Sequence, residues 1–240
     1  MISVCMATYN GEKYVKEQIE SILTQLSADD ELIISDDGST DSTIEIINKI
    51  GDKRVKLYHH TQDNPTIPNV NKVTKNFEYA LSKSSGDYIF LSDQDDIWMS
   101  DKLATMLSAL QDHDMVVSDG KVLDGGGNIV SETLLGDAYK LNRWQTLILR
   151  TPYPGCCMAF RRKVLEKALP FPERIQAHDR WLGFVGRFFY DFAFLRQGLI
   201  LYRRHGDNTS TMTGKSRNSL SYRIRERVRF ATELLKRALK

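Results

Sequence analysis

The chain has 240 residues, 41% of them apolar, and carries 33 Lys and Arg against 31 Asp and Glu, a formal net charge of +2. That length suits one large domain, or a domain with an appendage, and that apolar content excludes disorder as the default. No apolar stretch approaches the roughly 18 residues of a membrane span, no signal-peptide pattern precedes the first strand-like run, and the three cysteines, Cys5, Cys156 and Cys157, lack metal-type spacing, which excludes a disulfide framework and fits a reducing cytoplasm.

Residues 2–7 read as a strand, and Val15, Ile19, Ile22, Leu23 and Leu26 then recur at helical spacing. Residues 32–35 read as a second strand that runs into Ser35-Asp36-Asp37-Gly38-Ser39-Thr40-Asp41-Ser42. Carboxylates at that place can accept hydrogen bonds from a nucleotide base or ribose, and they equally suit a helix N-cap with an acidic first turn. The periodicity predicts a helix over 44–50, capped by Asp41 or Ser42, a third strand over 55–58 and a helix over 73–81. A fourth strand, Tyr88-Ile89-Phe90-Leu91, leads directly into Ser92-Asp93-Gln94-Asp95-Asp96-Ile97-Trp98. Three carboxylates in four residues repel one another unless a cation shares them, and hard divalent ions take such oxygen ligands while leaving positions for phosphates. A strand that ends in acids also brings them to the edge where open α/β sheets bind ligands. Asp-rich loops serve as helix caps too, and residues 101–107 read as a helix with Ser100 as its cap. Strand–helix alternation of this kind predicts a single, mainly parallel sheet flanked by helices.

The second half is less regular. Residues 115–118 read as a strand, 124–128 as a hairpin tip, 141–149 as a helix, 152–155 as a loop, 157–160 as a strand and 199–202 as a late strand. From Tyr202 onward eleven basic residues face three acidic ones, a local charge of +8, so the preceding body is −6. Residues 222–239 read as a basic amphipathic helix with Leu220, Ile224, Val228 and Leu235 near one face. Such a helix either packs on the body or adheres to an anionic membrane surface. The acidic body argues against nucleic acid as a partner.

Neighbouring α/β families are eliminated by what is missing: no G-x-G-x-x-G after the first strand, no P-loop, no Gly- and Arg-rich pyrophosphorylase loop, no G-x-S-x-G elbow. Thr8-Tyr9-Asn10 after the first strand, Asp36-Asp37-Gly38-Ser39-Thr40-Asp41 after the second and Ser92-Asp93-Gln94-Asp95-Asp96 after the fourth are present instead. In sequence, order and spacing these resemble the inverting glycosyltransferases of family 2, which have the GT-A fold, over about the first hundred residues. The Ser-Asp-Gln-Asp-Asp-Ile-Trp form is similar to that of bacterial surface-polysaccharide transferases, rhamnosyltransferases among them.

The resemblance implies a division of the chain and a set of roles. Residues 1–211 are expected to form the catalytic domain, with donor binding in about 1–100 and acceptor binding in about 101–211, and 212–240 the basic tail. Ala7 and Tyr9 are expected to pack on the nucleotide base, and Asp37, with Asp36 beside it, to hydrogen-bond its edge. Asp93 and Asp95 are the family's D-x-D. Asp95 is assigned to the metal, Mn²⁺ or Mg²⁺, with His205 in the segment after the last core strand, and Asp93 to ribose or a metal-bound water. Asp179 occupies the place of the catalytic base at a helix start, with His178 where the family usually has an acid. Asp96, Trp98, Gly155, Arg180 and Trp181 are expected on the acceptor side or in support of the site. Residues 64–72 depart from the family, with two prolines and no glycine, so the diphosphate contact falls to Lys72, Lys75 or Asn76. The implied reaction is metal-dependent transfer from a UDP- or dTDP-sugar to a hydroxyl of a glycan or lipid-linked acceptor, at the inner face of the membrane. The alternative is a non-catalytic nucleotide-sugar or glycan binder on the same fold, which the substituted His178 suggests.

Overall fold

The computed structural model describes residues 1–60, 69–173, 175–205 and 219–239. Strands β1 (Ile2–Thr8), β2 (Glu31–Asp36), β3 (Val55–His59) and β4 (Tyr88–Ser92) alternate with helices α1 (Val15–Leu23), α2 (Thr43–Ile50) and α3 (Asn69–Lys83). β1 and β2 are buried almost throughout, which explains their unbroken aliphatic runs, because helices cover both faces of a parallel sheet. The second half adds β5 (Ile97–Trp98), α4 (Lys102–Asp112), β6 (Met115–Leu123), β7 (Ile129–Ser131), α5 (Arg143–Ile148), β8 (Met158–Arg161), α6 (Arg162–Ala168), α7 (His178–Phe189), β9 (Phe192–Arg203) and α8 (Leu220–Ala238).

One sheet has the order β3-β2-β1-β4-β8-β6-β9-β5, with β7 on β6. Its first four strands are parallel neighbours. Beyond β4 it becomes mixed: β8 is antiparallel to β4 and β6, β5 is antiparallel to β9, and β6 runs parallel to β9. Antiparallel neighbours need no crossover helix, and β7 follows β6 through a tight turn. Register carries the functional consequence. Thr8 pairs with Asp36 and Met6 with Ser92, so the ends of β1, β2 and β4 open onto one edge, where their loops meet.

The starts of β9 and α4 differ from the sequence reading, and of the two caps expected for α2 one makes the bonds. β9 begins at Phe192, seven residues early, because the polar run Arg196-Gln197-Gly198 that interrupts its pattern coincides with register shifts against β6 at Ser118–Lys121. Helix α4 starts after Asp101, not after Ser100 as its cap. The first turn of α2 is held by Asp41, whose Oδ1 accepts the Thr43 amide and hydroxyl at 3.0 and 2.5 Å, while Ser42 makes no side-chain cap bond.

Helix α8 packs on the body through Phe230 and Leu234, both buried, with Phe230 edge-on to Phe184 of α7 at 5.1 Å. The boundary expected at 211–212 lies outside the described residues. Among the described residues no helix is long and apolar enough to cross a membrane.

Candidate active site

The β1 and β2 loops are laced together. Asp36 is fully buried. Its Oδ1 accepts the amides of Gly38 (3.0 Å) and Ser39 (2.8 Å), and its Oδ2 accepts the hydroxyls of Thr8 (2.9 Å) and Ser39 (2.5 Å). Asn10 sits in the left-handed region (φ 48°) and accepts the Thr40 amide at 2.8 Å, while its own amide donates to Ser39 Oγ. The Gly11 amide donates to Thr43 Oγ1 at 2.7 Å, and a Cβ on Gly11 would collide with the Gln94 amide group. Gln94 clamps the backbone of Tyr9 from both sides, accepting its N–H at 2.9 Å and donating to its carbonyl at 3.0 Å. The Tyr9 ring is 56% exposed above this lattice. Asp36, grouped with Asp37 as a nucleotide contact in the sequence reading, is therefore turned inward, because three donors of its own loop and the Thr8 hydroxyl of β1 saturate it. Asp37 and Ala7 remain half-buried at the edge.

The β4 loop has the opposite character. Asp96 is fully buried, its Oδ1 accepts only the Arg203 amide at 3.0 Å, and its Oδ2 has no partner among the described residues. Burial first, then the charges of Asp95 and Asp93, push its carboxyl well above the usual range. Asp93 is pushed up to about 7 by burial, then by Asp95 and Asp179. Gly155 packs against Asp179, and the thiol of the next residue, Cys156, lies within 4.8 Å of a carboxylate oxygen of Asp93, so the 155–156 turn brings the helix start and the D-x-D close together.

Helix α7 begins at His178, so Asp179 stands in its first turn, where a carboxylate is favoured by the helix dipole. Gly155 approaches this turn so closely that a Cβ would lie 3.1 Å from His178 Nε2 and 3.6 Å from Asp179 Cβ. His178 stacks on Phe77 with ring centroids 3.9 Å apart and is buried. Burial lowers its pKa to about 4, so the ring is neutral and acts as packing. Arg180 is exposed beside it. Trp98 and Trp181 are buried and support the site from behind: Trp181 donates to the Ala168 carbonyl at 3.0 Å, and Trp98 lies against Phe90.

Asp95 Oδ2 lies 2.8 Å from His205 Nε2, with both side chains slightly exposed at 14% and 13%. A carboxylate and an imidazole at the rim suit a hard divalent cation that must also reach a diphosphate. A second grouping lies deeper, where donor atoms of Asp93, Asp96 and Cys156 fall within 4.8 Å of one another. This grouping offers a second, deeper place for a cation beside the Asp95–His205 pair.

Two residues were not picked out from sequence. Arg203 ties the acidic loop to α1: its Nε donates to the Asp95 carbonyl at 3.1 Å, its Nη2 to Glu17 at 2.7 Å, and its guanidinium lies 4.7 Å over the Tyr14 ring, which is tilted on His205. Lys102 is fully buried, with its ammonium 2.9 Å from the Cys156 carbonyl and 5.1 Å over the Trp98 ring. It shares the apolar stripe of Met106 and Leu110 at helical spacing, the one signal that could have found it. Of the diphosphate candidates, Asn76 is consumed by Ser35 and by the Thr8 carbonyl, and Lys75 pairs with Glu78. Residues 61–68 of that departing segment, and residues 206–210 after His205, lie outside the described residues.

The model of the family described as Glycosyl transferase family 2 matches residues 3–169. The dTDP-rhamnosyl transferase RfbG of Shigella flexneri is 31% identical over 222 residues, 85% of this chain and 72% of that protein. The structure of S. aureus TarS 1-349 in complex with UDP-GlcNAc has the same fold, with a TM-score of 0.67 at 19% identity over 90% of this chain and 61% of that one. So has glucosyl-3-phosphoglycerate synthase from Mycobacterium tuberculosis with Mn²⁺, UDP and phosphoglyceric acid, with a TM-score of 0.56 at 21% identity over 99% of this chain and 78% of that one. The chain spans between 30% and 72% of the length of curated relatives that it matches over most of its own length.

Proposed function

The chain belongs to glycosyl transferase family 2, and from that membership we propose that it transfers a sugar, with inversion, from a UDP- or dTDP-sugar to a hydroxyl of a glycan or lipid-linked acceptor in surface polysaccharide biosynthesis. It is a glycosyltransferase that uses a nucleotide-sugar donor. The observation that supports the reading is the 155–156 turn, where Gly155 lies against Asp179 and the Cys156 thiol lies within 4.8 Å of an Asp93 carboxylate oxygen, with the Asp95–His205 pair on the same loop as Asp93.

In this reading the Tyr9 ring packs on the base and Asp37 accepts a hydrogen bond from its edge, while the laced β1 and β2 loops hold both without rearrangement. Asp95 and His205 would hold Mn²⁺ or Mg²⁺, which when bound neutralises charge developing on the leaving diphosphate. Asp179 accepts the proton of the acceptor hydroxyl as that oxygen attacks the anomeric carbon. The bond to the diphosphate breaks on the opposite face, through an oxocarbenium-like transition state. One carboxylate then suffices, because the leaving diphosphate needs no proton. RfbG, by its name a dTDP-rhamnosyl transferase, makes a dTDP-linked deoxysugar the first donor to try. The non-catalytic alternative rested on His178, and that ring packs on Phe77 away from the role of an acid, which supports catalysis by Asp179 alone.

Thermal shift and calorimetry with UDP, dTDP and GDP, each with and without Mn²⁺, test the donor side. Metal-dependent stabilisation by one nucleotide is expected, and no response from any of them would sink the reading. Asp179→Asn is expected to lower transfer by about 10²- to 10⁴-fold, the usual contribution of a positioned base, with nucleotide binding unchanged. Wild-type turnover in that variant would remove Asp179 from its role.

A further inference from the structure

Seven of the eleven large apolar side chains exposed among the described residues lie on two segments, residues 144–149 and 224–239. On α8 they are Ile224, Val228, Leu235 and Leu239, between 53% and 89% exposed. At 100° per residue these four fall within one narrow stripe. The buried residues Glu226, Phe230 and Leu234 fall on the opposite side. The helix is thus apolar on two faces, one spent on the body and one presented outward. Arg225 and Lys236, both exposed, flank the outward stripe, and the described part of α8 carries six basic residues against two acidic ones.

The neighbouring segment extends this surface. Arg227 donates to the carbonyls of Leu147 and, at 3.0 Å, Leu149, so α8 is clamped to the end of α5. Ile148 and Leu149 there are 60% and 58% exposed. In its first turn α8 also approaches the start of α7, where the Tyr222 hydroxyl donates to Gln176 Oε1 at 3.3 Å, three residues before Asp179.

We propose that the outward stripe of α8, with Ile148 and Leu149 of the α5 end, is a docking face for an anionic lipid bilayer, and that it seats the chain with Asp179 near the membrane plane. Contiguous apolar surface of this kind marks an interaction site. An apolar stripe flanked by Arg and Lys is the chemistry of a helix lying in the headgroup boundary. The basic surplus selects the occupant, since a protein partner of neutral charge would gain nothing from it, whereas each basic residue near an anionic surface strengthens binding about five-fold. The inference extends the lipid-linked acceptor of the proposed function, but vesicle binding reads no sugar transfer, so the two can fail separately.

The test is flotation of the full chain with vesicles of phosphatidylcholine alone and of phosphatidylcholine doped with phosphatidylglycerol. Recovery with the doped vesicles is expected to exceed that with neutral ones at least about ten-fold and to fall with salt. Ile224→Ser/Val228→Ser/Leu235→Ser, at exposed positions that leave the Phe230–Leu234 packing intact, is expected to abolish it with an unchanged melting temperature. Arg225→Glu/Lys236→Glu is expected to reduce it at least about ten-fold. Equal recovery on both vesicles, or full recovery of the triple variant, overturns the proposal. So does a dimer in sedimentation that forms without lipid and is lost in the triple variant, which would assign the stripe to a second copy.

Discussion

Two aspartate clusters of similar density stand on either side of β1 at one sheet edge and have opposite electrostatics. Asp36 and Asp41, after β2, are supplied with donors by their own chain. Four bonds converge on Asp36, and although burial raises the Asp41 pKa, the Thr43 hydroxyl and amide and the Glu12 amide bring it below the usual range. Asp93 and Asp96, after β4, have almost none, and burial together with mutual repulsion pushes both up. A carboxylate that accepts amide bonds is structural glue, whereas one denied donors is held ready for a charge from outside. Sequence density of acid is the same in both loops; the supply of N–H and O–H groups decides which loop builds the frame and which one waits for a ligand.

Substitutions with opposite signs break or sharpen that contrast. The largest effect is expected from Asp95→Asn, which should lower transfer by about 10³-fold and remove the Mn²⁺ dependence of nucleotide stabilisation, with the fold intact by circular dichroism. Full metal response in that variant would move the cation elsewhere. Asp36→Ala leaves two amides and two hydroxyls without an acceptor and should cost about 3 kcal/mol in urea unfolding; a loss under about 1 kcal/mol would mean that the lacing is not structural.

His178 sharpens the contrast from a third side, as a base and not an acid. Its folded pKa of about 4 lies below its ordinary 6.5, so its contribution is complete above the unfolded value and is lost as pH falls through the folded one. From pH 7 to pH 5 that loss amounts to about 2 kcal/mol. It should be absent in His178→Gln, and parallel pH profiles of the two proteins would show that the ring is not held neutral. The smallest effect is expected from Asp93→Asn, which removes a buried charge that its neighbours repel. It should raise apo-protein stability at pH 8 by about 1 kcal/mol while impairing donor binding. A stability loss there would place Asp93 with the satisfied cluster.

What could be read from the residues was local. The acids after β2 and β4 follow from short runs whose periodicity and end chemistry are self-contained, whereas the helix start at Asp179 came from the family resemblance alone. Interactions across the chain were not legible. Asp36 and Asp37 look alike until Thr8 and Ser39 are brought to one of them by the β1–β2 register. Trp98 looks like an acceptor-side aromatic until its two-residue strand pairs with β9 and buries it. Lys102 reads as an ordinary surface lysine until the Cys156 carbonyl arrives from 54 residues away. Helix α8 reads as amphipathic, but only packing shows that its buried face is the Phe230–Leu234 side and that the Ile224–Val228 side faces out.

The clamp of Gln94 on Tyr9 has a consequence for how such a site can change. Both bonds go to the Tyr9 backbone, and the ring above them is exposed, so the frame is indifferent to which side chain stands there. In the proposed reading the side chain at position 9 meets the base, so that face could be exchanged without loosening the loop, and base preference would be a replaceable insert in a fixed socket. A library confined to position 9 would explore nucleotide choice at little risk to folding. The same library at Asn10 or Gly11, where a left-handed residue and a missing Cβ close the lattice, would mostly return unfolded chains.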